Sequence, residues 1–166
     1  YHGPIDLMLG AEEYSRPLRR EAEKRSTRVL LDGVFNHTGS QSRYFNADGF
    51  YPELGAAQSK DSPYYPWYRF THWPDGYDAW WGVHTLPAVN EECPSYREFI
   101  VDGEDSVVRH WLRLGASGWR LDVADELPDD FIAGIRPGVG KGKPGSILPG
   151  GGLEDGSTKI ASSRRR

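Results

Sequence analysis

The chain has 166 residues, and its 24 acidic and 20 basic side chains give a net charge of −4. This mildly acidic balance argues against a protein that binds nucleic acid or anionic membranes. No apolar run approaches the roughly 18–20 residues needed to cross a bilayer, and no signal peptide or anchor is visible. Cys93 is the only cysteine, so an intrachain disulfide framework is excluded. We expect at most one domain and a cytoplasmic location, with secretion left open.

The first elements in chain order are a surface helix and a short buried strand. Residues 12–25 are charged and helix-favouring, with Leu18 and Ala22 on one face. Pro17 lies too deep for a first turn, which predicts a helix that is either short or kinked. The apolar run at 29–31 then predicts a buried strand that ends in polar residues.

A long aromatic segment follows. Between 44 and 81, aromatic residues alternate with proline and glycine, and neither a helical nor a strand period survives. Such a composition indicates a structured loop or a small subdomain rather than disorder. Its rings have two interpretations, packing as a core or stacking on sugar rings, and core packing is favoured for most of them. The candidates are Tyr44, Phe45, Tyr64, Tyr65, Trp67, Tyr68, Trp73, Trp80 and Trp81.

The C-terminal half alternates again between helix and strand. A capping-box pattern at 95–98 predicts a helix that continues to about Leu114, before a strand at 119–123 and a helix at 128–136. This order predicts an α/β fold with a parallel sheet, whose chemistry lies at the C-terminal ends of the strands. Glycine and proline then make up 11 of the 19 residues from 134 to 152, a composition that helices and strands tolerate poorly.

Two polar clusters are candidate sites. Arg120 and Asp122 are two apart in a strand, so both side chains share a face, and the guanidinium would keep the carboxylate ionised and oriented as a nucleophile. A structural ion pair is an equally good interpretation of these two residues. Asp32, Asn36 and His37 could bind sugar hydroxyls, although turn chemistry explains that trio better when it is considered alone.

Considered together, the two clusters resemble the signatures of glycoside hydrolase family 13, the α-amylase family. Asp-Gly-Val-Phe-Asn-His at 32–37 is similar to the family's first signature, and the segment at 118–126 is similar to the signature that contains the nucleophile. The motifs at 80–81 and 86–90 resemble the neopullulanase, cyclomaltodextrinase and maltogenic amylase branch.

The resemblance implies part of a (β/α)8 TIM barrel with a small aromatic-rich domain inserted after barrel strand 3. The implied limits are 1–39 for a first part of the barrel, 40–92 for the insert and 93–166 for a second part. Three of eight strands cannot close a barrel, so we expect an incomplete and inactive fragment that is unstable alone.

The resemblance also implies the roles of the site residues. Asp122 would be the nucleophile of a retaining hydrolase and Arg120 would orient it, while Asp32, His37 and Asn36 would bind the substrate. The implied partner is an α-glucan, cleaved at α-1,4 bonds in pullulan, cyclodextrins or maltooligosaccharides. Relatives in this branch often pair through an N-terminal domain, so the parent enzyme could be a homodimer. We predict no cofactor, because neither Asn36 nor Asp78 belongs to a calcium loop.

The sequence departs from the family at the general acid. Retaining glycosidases need a second carboxyl to protonate the leaving oxygen. Gly151 occupies the place where relatives carry that glutamate, and Glu154, three residues later, does not align with it. The glycine-rich run around it suggests a local reading-frame error or a decayed gene segment at about 137–152. The alternative function is therefore a non-catalytic or decayed glucan-binding segment.

Overall fold

A computed structural model of the chain describes residues 12–142 and 147–151. Its helices are α1 (Glu12–Lys24), α2 (Pro94–Arg97), α3 (Val107–Arg113) and α4 (Asp129–Gly142), and a π-helical turn, Glu98–Asp102, follows α2. The strands are β1 (Leu30–Gly33), β2 (Phe70–His72), β3 (Gly76–Tyr77) and β4 (Gly118–Leu121). Short 3-10 turns occur at Tyr65–Trp67 and Trp80–Gly82. Glu154 lies outside the described residues.

The main sheet is parallel, as the sequence predicts. β1 pairs with β4 in a register that sets Leu31 opposite Trp119 and Asp32 opposite Arg120. Residues 147–151 run parallel to β4 on its other side, because the Trp119 amide donates to the Ile147 carbonyl (3.0 Å) and the Leu121 amide to the Pro149 carbonyl (2.9 Å). β4 is therefore paired along both edges.

The glycine- and proline-rich segment keeps more order than its composition predicts. α4 continues to Gly142, and residues 147–151 are extended beside β4. A glycine of β4 allows this approach, since Gly118 has φ +152° and a Cβ there would run into the backbone of Ile147. Backbone hydrogen bonds to β4 give residues 147–151 an order that their side chains do not supply.

The first strand is less buried than predicted, whereas the first helix is exposed, as a surface helix should be. α1 runs through Pro17 over 13 residues, so the shorter alternative is wrong. Within it, Leu18 is 66% exposed, whereas Arg19 beside it is buried. Leu30 is also exposed at the start of β1. β1 pairs with β4 along one edge, so among the described residues it has cover on one side where β4 has it on two.

The single helix predicted from 95 to 114 is in fact two. A turn at 103–106 separates the π-helical turn from α3, and Gly103 is needed there because a Cβ would lie 2.5 Å from the Glu98 carbonyl oxygen. The predicted capping box is also wrong, because the helix begins at Pro94 and Ser95 Oγ accepts a hydrogen bond from Trp67 Nε1 (2.9 Å).

The core is largely aromatic. Phe35, just after β1, is fully buried, and its ring centroid lies 5.5 Å from that of Trp119 and 6.3 Å from that of Phe131. Tyr96 donates its hydroxyl to the Phe35 carbonyl at 2.8 Å. The segment between β1 and α2 packs against this core through buried rings, namely Tyr44, Phe45, Trp67 and Tyr68. Core packing is thus confirmed for these four aromatics, whereas Trp81 is exposed.

Candidate active site

Three charged side chains meet where β1 and β4 end. Because Asp32 and Arg120 are paired in register, their side chains rise from the same level of the sheet. Arg120 donates from one nitrogen, Nη1, to Asp32 Oδ1 (2.8 Å) and to Asp122 Oδ1 (2.6 Å). The hydrogen bond with Asp32, followed by the charges of both carboxylates, raises the pKa of Arg120. The predicted Arg120–Asp122 contact is confirmed, and Asp32 shares it.

Asn36 and His37 lie beside these charges in a hydrogen-bonded chain. His37 Nδ1 lies 2.6 Å from Asn36 Oδ1, and Asn36 Nδ2 donates to Glu126 Oε2 at 3.3 Å. Because the Asn36 amide nitrogen donates to the Glu126 carboxylate, Asn36 Oδ1 faces His37 and must accept a hydrogen bond from it. The ring proton of His37 therefore lies on Nδ1. Burial lowers the pKa of His37, against the opposing charges of Asp122 and Glu126. The neutral ring leaves Nε2 as a hydrogen-bond acceptor for a hydroxyl.

Glu126 completes this chain, and sequence reasoning assigned it no role. Its Oε2 accepts from Trp80 Nε1 at 3.1 Å, and its Oε1 accepts from Trp81 Nε1 at 2.9 Å. The Trp80 ring stacks on His37, with centroids 5.0 Å apart and planes at 17°. Glu126 is the last residue of the second signature, and Trp80 and Trp81 are neighbours in the aromatic segment. No local sequence pattern links Glu126 to these tryptophans.

Gly151 reaches the site from the opposite edge of β4. Its amide donates to the Leu121 carbonyl (2.7 Å) and its carbonyl accepts from the Ala124 amide (2.9 Å), so its backbone is fixed beside the strand end. A Cβ at this position would lie 2.5 Å from Arg120 Nη2. The Arg120 guanidinium therefore fills the space in which a side chain at 151 would begin.

Among residues 12–142 and 147–151, no group of three or more His, Cys, Asp or Glu side chains could hold a metal ion. Asn36, the nearest candidate ligand, has its oxygen engaged by His37 and its amide nitrogen by Glu126. Within 12–142 and 147–151, every helix is also too short or too polar to span a bilayer.

Comparison with known sequences identifies the family. Residues 3–135 match the family described as alpha amylase, catalytic domain. An amylopullulanase of Thermoanaerobacterium saccharolyticum is 37% identical over 159 residues, which cover 84% of this chain and 12% of that protein. Neopullulanase 2 of Thermoactinomyces vulgaris is 30% identical over 154 residues, covering 88% of this chain and 24% of that protein.

Solved structures give the same result. Ttha1563 from Thermus thermophilus aligns with a TM-score of 0.78 at 34% identity, over 93% of this chain and 32% of that one. The debranching enzyme of Nostoc punctiforme, in a crystal soaked with acarbose, aligns with a TM-score of 0.78 at 28% identity, over 93% and 33% of the two chains. The chain thus spans from 12% to 33% of these relatives.

The relatives include a neopullulanase and a cyclomaltodextrinase, as the motifs predict, and also amylopullulanases. The solved neighbours are (β/α)8-barrel enzymes, and the parallel α/β arrangement described above corresponds to part of that barrel. The chain therefore belongs to the α-amylase family, glycoside hydrolase family 13.

Proposed function

We propose that this chain carries the nucleophile region of a retaining α-glucan hydrolase. The observation that carries the proposal is the single Arg120 nitrogen that binds both Asp32 and Asp122 where two parallel strands end. A guanidinium in this position keeps Asp122 ionised and fixes its orientation, which a carboxylate nucleophile requires. The substrates would be pullulan, cyclodextrins or maltooligosaccharides, as the names of several relatives suggest.

In the proposed reaction, Asp122 attacks the anomeric carbon of a bound glucose unit. Oδ1 accepts from Arg120, so Oδ2 forms the new ester bond while the glycosidic C–O bond breaks and its electron pair leaves with the oxygen. Asp32, Asn36 and the neutral His37 would hold the ring through its hydroxyls. The leaving oxygen needs a proton, and water must later be deprotonated to cleave the ester.

A second candidate function is glucan binding without turnover. Gly151 favours it, because this residue supplies no carboxyl and Arg120 lies where a side chain would start. General acid assistance is worth roughly 10²–10⁴ in rate, so its loss would leave binding intact and hydrolysis slow. We propose that the 166-residue chain itself is inactive toward ordinary glucans for this reason.

Several features of the whole protein belong to the same proposal. The aromatic segment between β1 and α2 would be the domain inserted after barrel strand 3, with limits at 40–92. A cytoplasmic location is supported by the relative named intracellular maltogenic amylase in Bacillus subtilis. A homodimeric parent enzyme follows from the branch resemblance alone.

Covalent trapping tests the proposed role of Asp122. Fluoride leaves α-maltosyl fluoride with its bonding electron pair and with little need for protonation, so the donor bypasses the missing acid. The base needed to cleave the ester is missing too, so a maltosyl ester should accumulate on Asp122 and be located by peptide mass spectrometry. Asp122→Asn should abolish labelling. Asp61→Asn, at an exposed acid distant in sequence from both clusters, should not. No label on a folded chain, or a label retained by Asp122→Asn, would refute the assignment.

A further inference from the structure

One carboxylate oxygen supports His37 from two sides. Glu126 Oε2 accepts from Asn36 Nδ2 at 3.3 Å and from Trp80 Nε1 at 3.1 Å. At the edge of the imidazole, Asn36 Oδ1 lies 2.6 Å from His37 Nδ1. On its face, the Trp80 ring stacks with centroids 5.0 Å apart and planes at 17°. The plane of the imidazole and its orientation within that plane therefore both depend on Glu126.

The relay formed by Glu126, Asn36 and His37 has a fixed direction. A carboxylate accepts hydrogen bonds and donates none, whereas an amide side chain has a donor end and an acceptor end, and a neutral imidazole carries its proton on either nitrogen. Glu126 is therefore the one member of the relay that cannot reverse. Because it binds the amide nitrogen of Asn36, it turns the Asn36 oxygen toward His37 and draws the imidazole proton to Nδ1.

The backbone after β4 brings Glu126 to this position through an unfavourable conformation. Val123 has φ 45°, in the left-handed region that β-branched residues rarely adopt. The Glu126 amide donates to the Val123 carbonyl at 3.0 Å, which closes a turn directly after Asp122. Trp81 Nε1 donates to the second carboxylate oxygen, Oε1, at 2.9 Å. Strain of this kind persists where surrounding contacts fix it, and it concentrates at functional sites.

We propose that Glu126 is a positioning residue that sets the His37 tautomer through Asn36, and that the site therefore selects an α-glucan hydroxyl that donates its hydrogen to His37 Nε2. This inference deepens the proposed function and rests on it for the identity of the ligand. A sugar hydroxyl both donates and accepts, so an imidazole without a preset tautomer would bind it in either sense. With the proton held on Nδ1, Nε2 offers only a lone pair. A ligand group that accepts without donating, such as fluorine, would leave Nε2 without a partner.

Nitrogen NMR of the full chain at about pH 7.5 tests the relay without any ligand. Two-bond proton–nitrogen correlation spectra distinguish a ring nitrogen that carries a proton from one that carries a lone pair, and loss of signals in His37→Gln assigns His37 among the five histidines. We expect the proton on Nδ1 in the unaltered chain. A proton on Nε2 would overturn the relay before any variant is made.

Variants of Glu126 then test its positioning role. Glu126→Met removes both acceptor oxygens at a similar side-chain length, so Asn36 is released and the form protonated on Nε2 should rise to a comparable population. Glu126→Gln keeps an acceptor oxygen and should retain the form protonated on Nδ1. Glu53→Met, at a carboxylate that pairs with Arg43, is the control and should also retain it. An unchanged tautomer in Glu126→Met would show a merely structural role and overturn the proposal.

Binding measurements test the selected hydroxyl. Titration calorimetry would compare methyl α-maltoside with analogues in which fluorine replaces one hydroxyl at a time. Fluorine at one position should weaken binding about tenfold, the order expected when a half-buried acceptor loses its donor. In Glu126→Met, where His37 also carries its proton on Nε2, this penalty should shrink to less than about threefold. An equal penalty in both proteins would refute selection by the tautomer.

The outcomes separate this proposal from the hydrolase proposal. The His37 tautomer is observed without ligand or turnover, so its dependence on Glu126 is independent of maltosyl labelling at Asp122. Labelling of Asp122 together with a proton on His37 Nε2 would refute the relay and leave the nucleophile intact. A confirmed tautomer in a chain that binds no maltoheptaose and gains no label would refute the hydrolase proposal, and with it the selection of a hydroxyl.

Discussion

The candidate site has two halves that differ in how completely their polar groups are paired. The binding half consists of Asn36, His37, Trp80, Trp81 and Glu126, and both oxygens of its carboxylate accept hydrogen bonds from neighbouring side chains. The reaction half consists of Asp32, Arg120, Asp122 and Gly151, in which one arginine nitrogen serves two carboxylates. Its Asp32 and Arg120 side chains are 56% and 43% exposed.

This difference shows what each half needs from the rest of the chain. The binding half is made by residues of the loop after β1, the aromatic segment and the loop after β4, which hold one another. The reaction half also depends on residues 147–151, because Gly151 determines the space open to Arg120. Under the proposal above, a chain that keeps the first half and has no general-acid carboxyl in the second would bind a glucan better than it would cleave one.

The largest expected effect comes from removing the support that both halves share. Phe35 is fully buried against Trp119 and Phe131. Phe35→Ala should lower the free energy of unfolding by about 3–5 kcal/mol through lost burial and a residual cavity. Urea unfolding measures the change, and maltoheptaose binding and Asp122 labelling should be lost together. Loss of one without the other would mean that the halves do not share this core.

A substitution at Gly118 should disturb residues 147–151, on which only the reaction half depends. A Cβ at Gly118 would strike the backbone of Ile147, and its φ of +152° disfavours other residues. Gly118→Ala should therefore cost about 2–3 kcal/mol and displace 147–151 from β4. Gly39→Ala is the control, because a Cβ there meets nothing within 4 Å. Hydrogen exchange of the Trp119 and Leu121 amides should rise only in Gly118→Ala, and equal protection in both variants would contradict the pairing.

Filling the space at Gly151 should affect the reaction half alone. Gly151→Ala forces the flexible end of Arg120 to move, which is cheap for stability but disturbs its bonds to Asp32 and Asp122. The rate of Asp122 labelling by α-maltosyl fluoride should fall about tenfold, the equivalent of roughly 1.4 kcal/mol. Maltoheptaose affinity and thermal stability should stay unchanged. An unchanged labelling rate would show that the position of Arg120 does not matter to the ester-forming step.

The smallest effect concerns pH and the binding half. Burial holds the pKa of His37 below its ordinary value of 6.5, so the unfolded chain takes up this proton at a higher pH than the folded chain does. The stability contributed by neutral His37 is therefore present above about pH 6.5 and is lost as the pH falls through the folded value. Thermal midpoints between about pH 7.5 and 5 should fall less steeply in His37→Gln. An identical slope would contradict the neutral imidazole.

Much of this arrangement could be predicted because it is local in the sequence. The apolar runs before Asp32 and Asp122 predict strands whose polar ends meet at one edge of a parallel sheet, and two-residue spacing predicts the Arg120–Asp122 contact. β1 and β4 bear out both predictions.

The other features of the fold and the site depend on residues that are far apart in the sequence. Ser95 forms no helix cap because its hydroxyl oxygen accepts a hydrogen bond from Trp67, which is 28 positions away. Glu126 gains its role from tryptophans 45 and 46 positions earlier, which no local pattern connects to it. The order in residues 147–151 likewise comes from the backbone of β4 rather than from their own composition.

The most direct measurement compares an activated donor with an ordinary one on the same folded protein. We predict that α-maltosyl fluoride esterifies Asp122 while maltoheptaose binds but is not hydrolysed at a detectable rate, because Gly151 supplies no proton. Hydrolysis of maltoheptaose at a rate near that of fluoride consumption, lost in Asp122→Asn, would contradict this prediction. That result would mean that another group in this chain acts as the general acid.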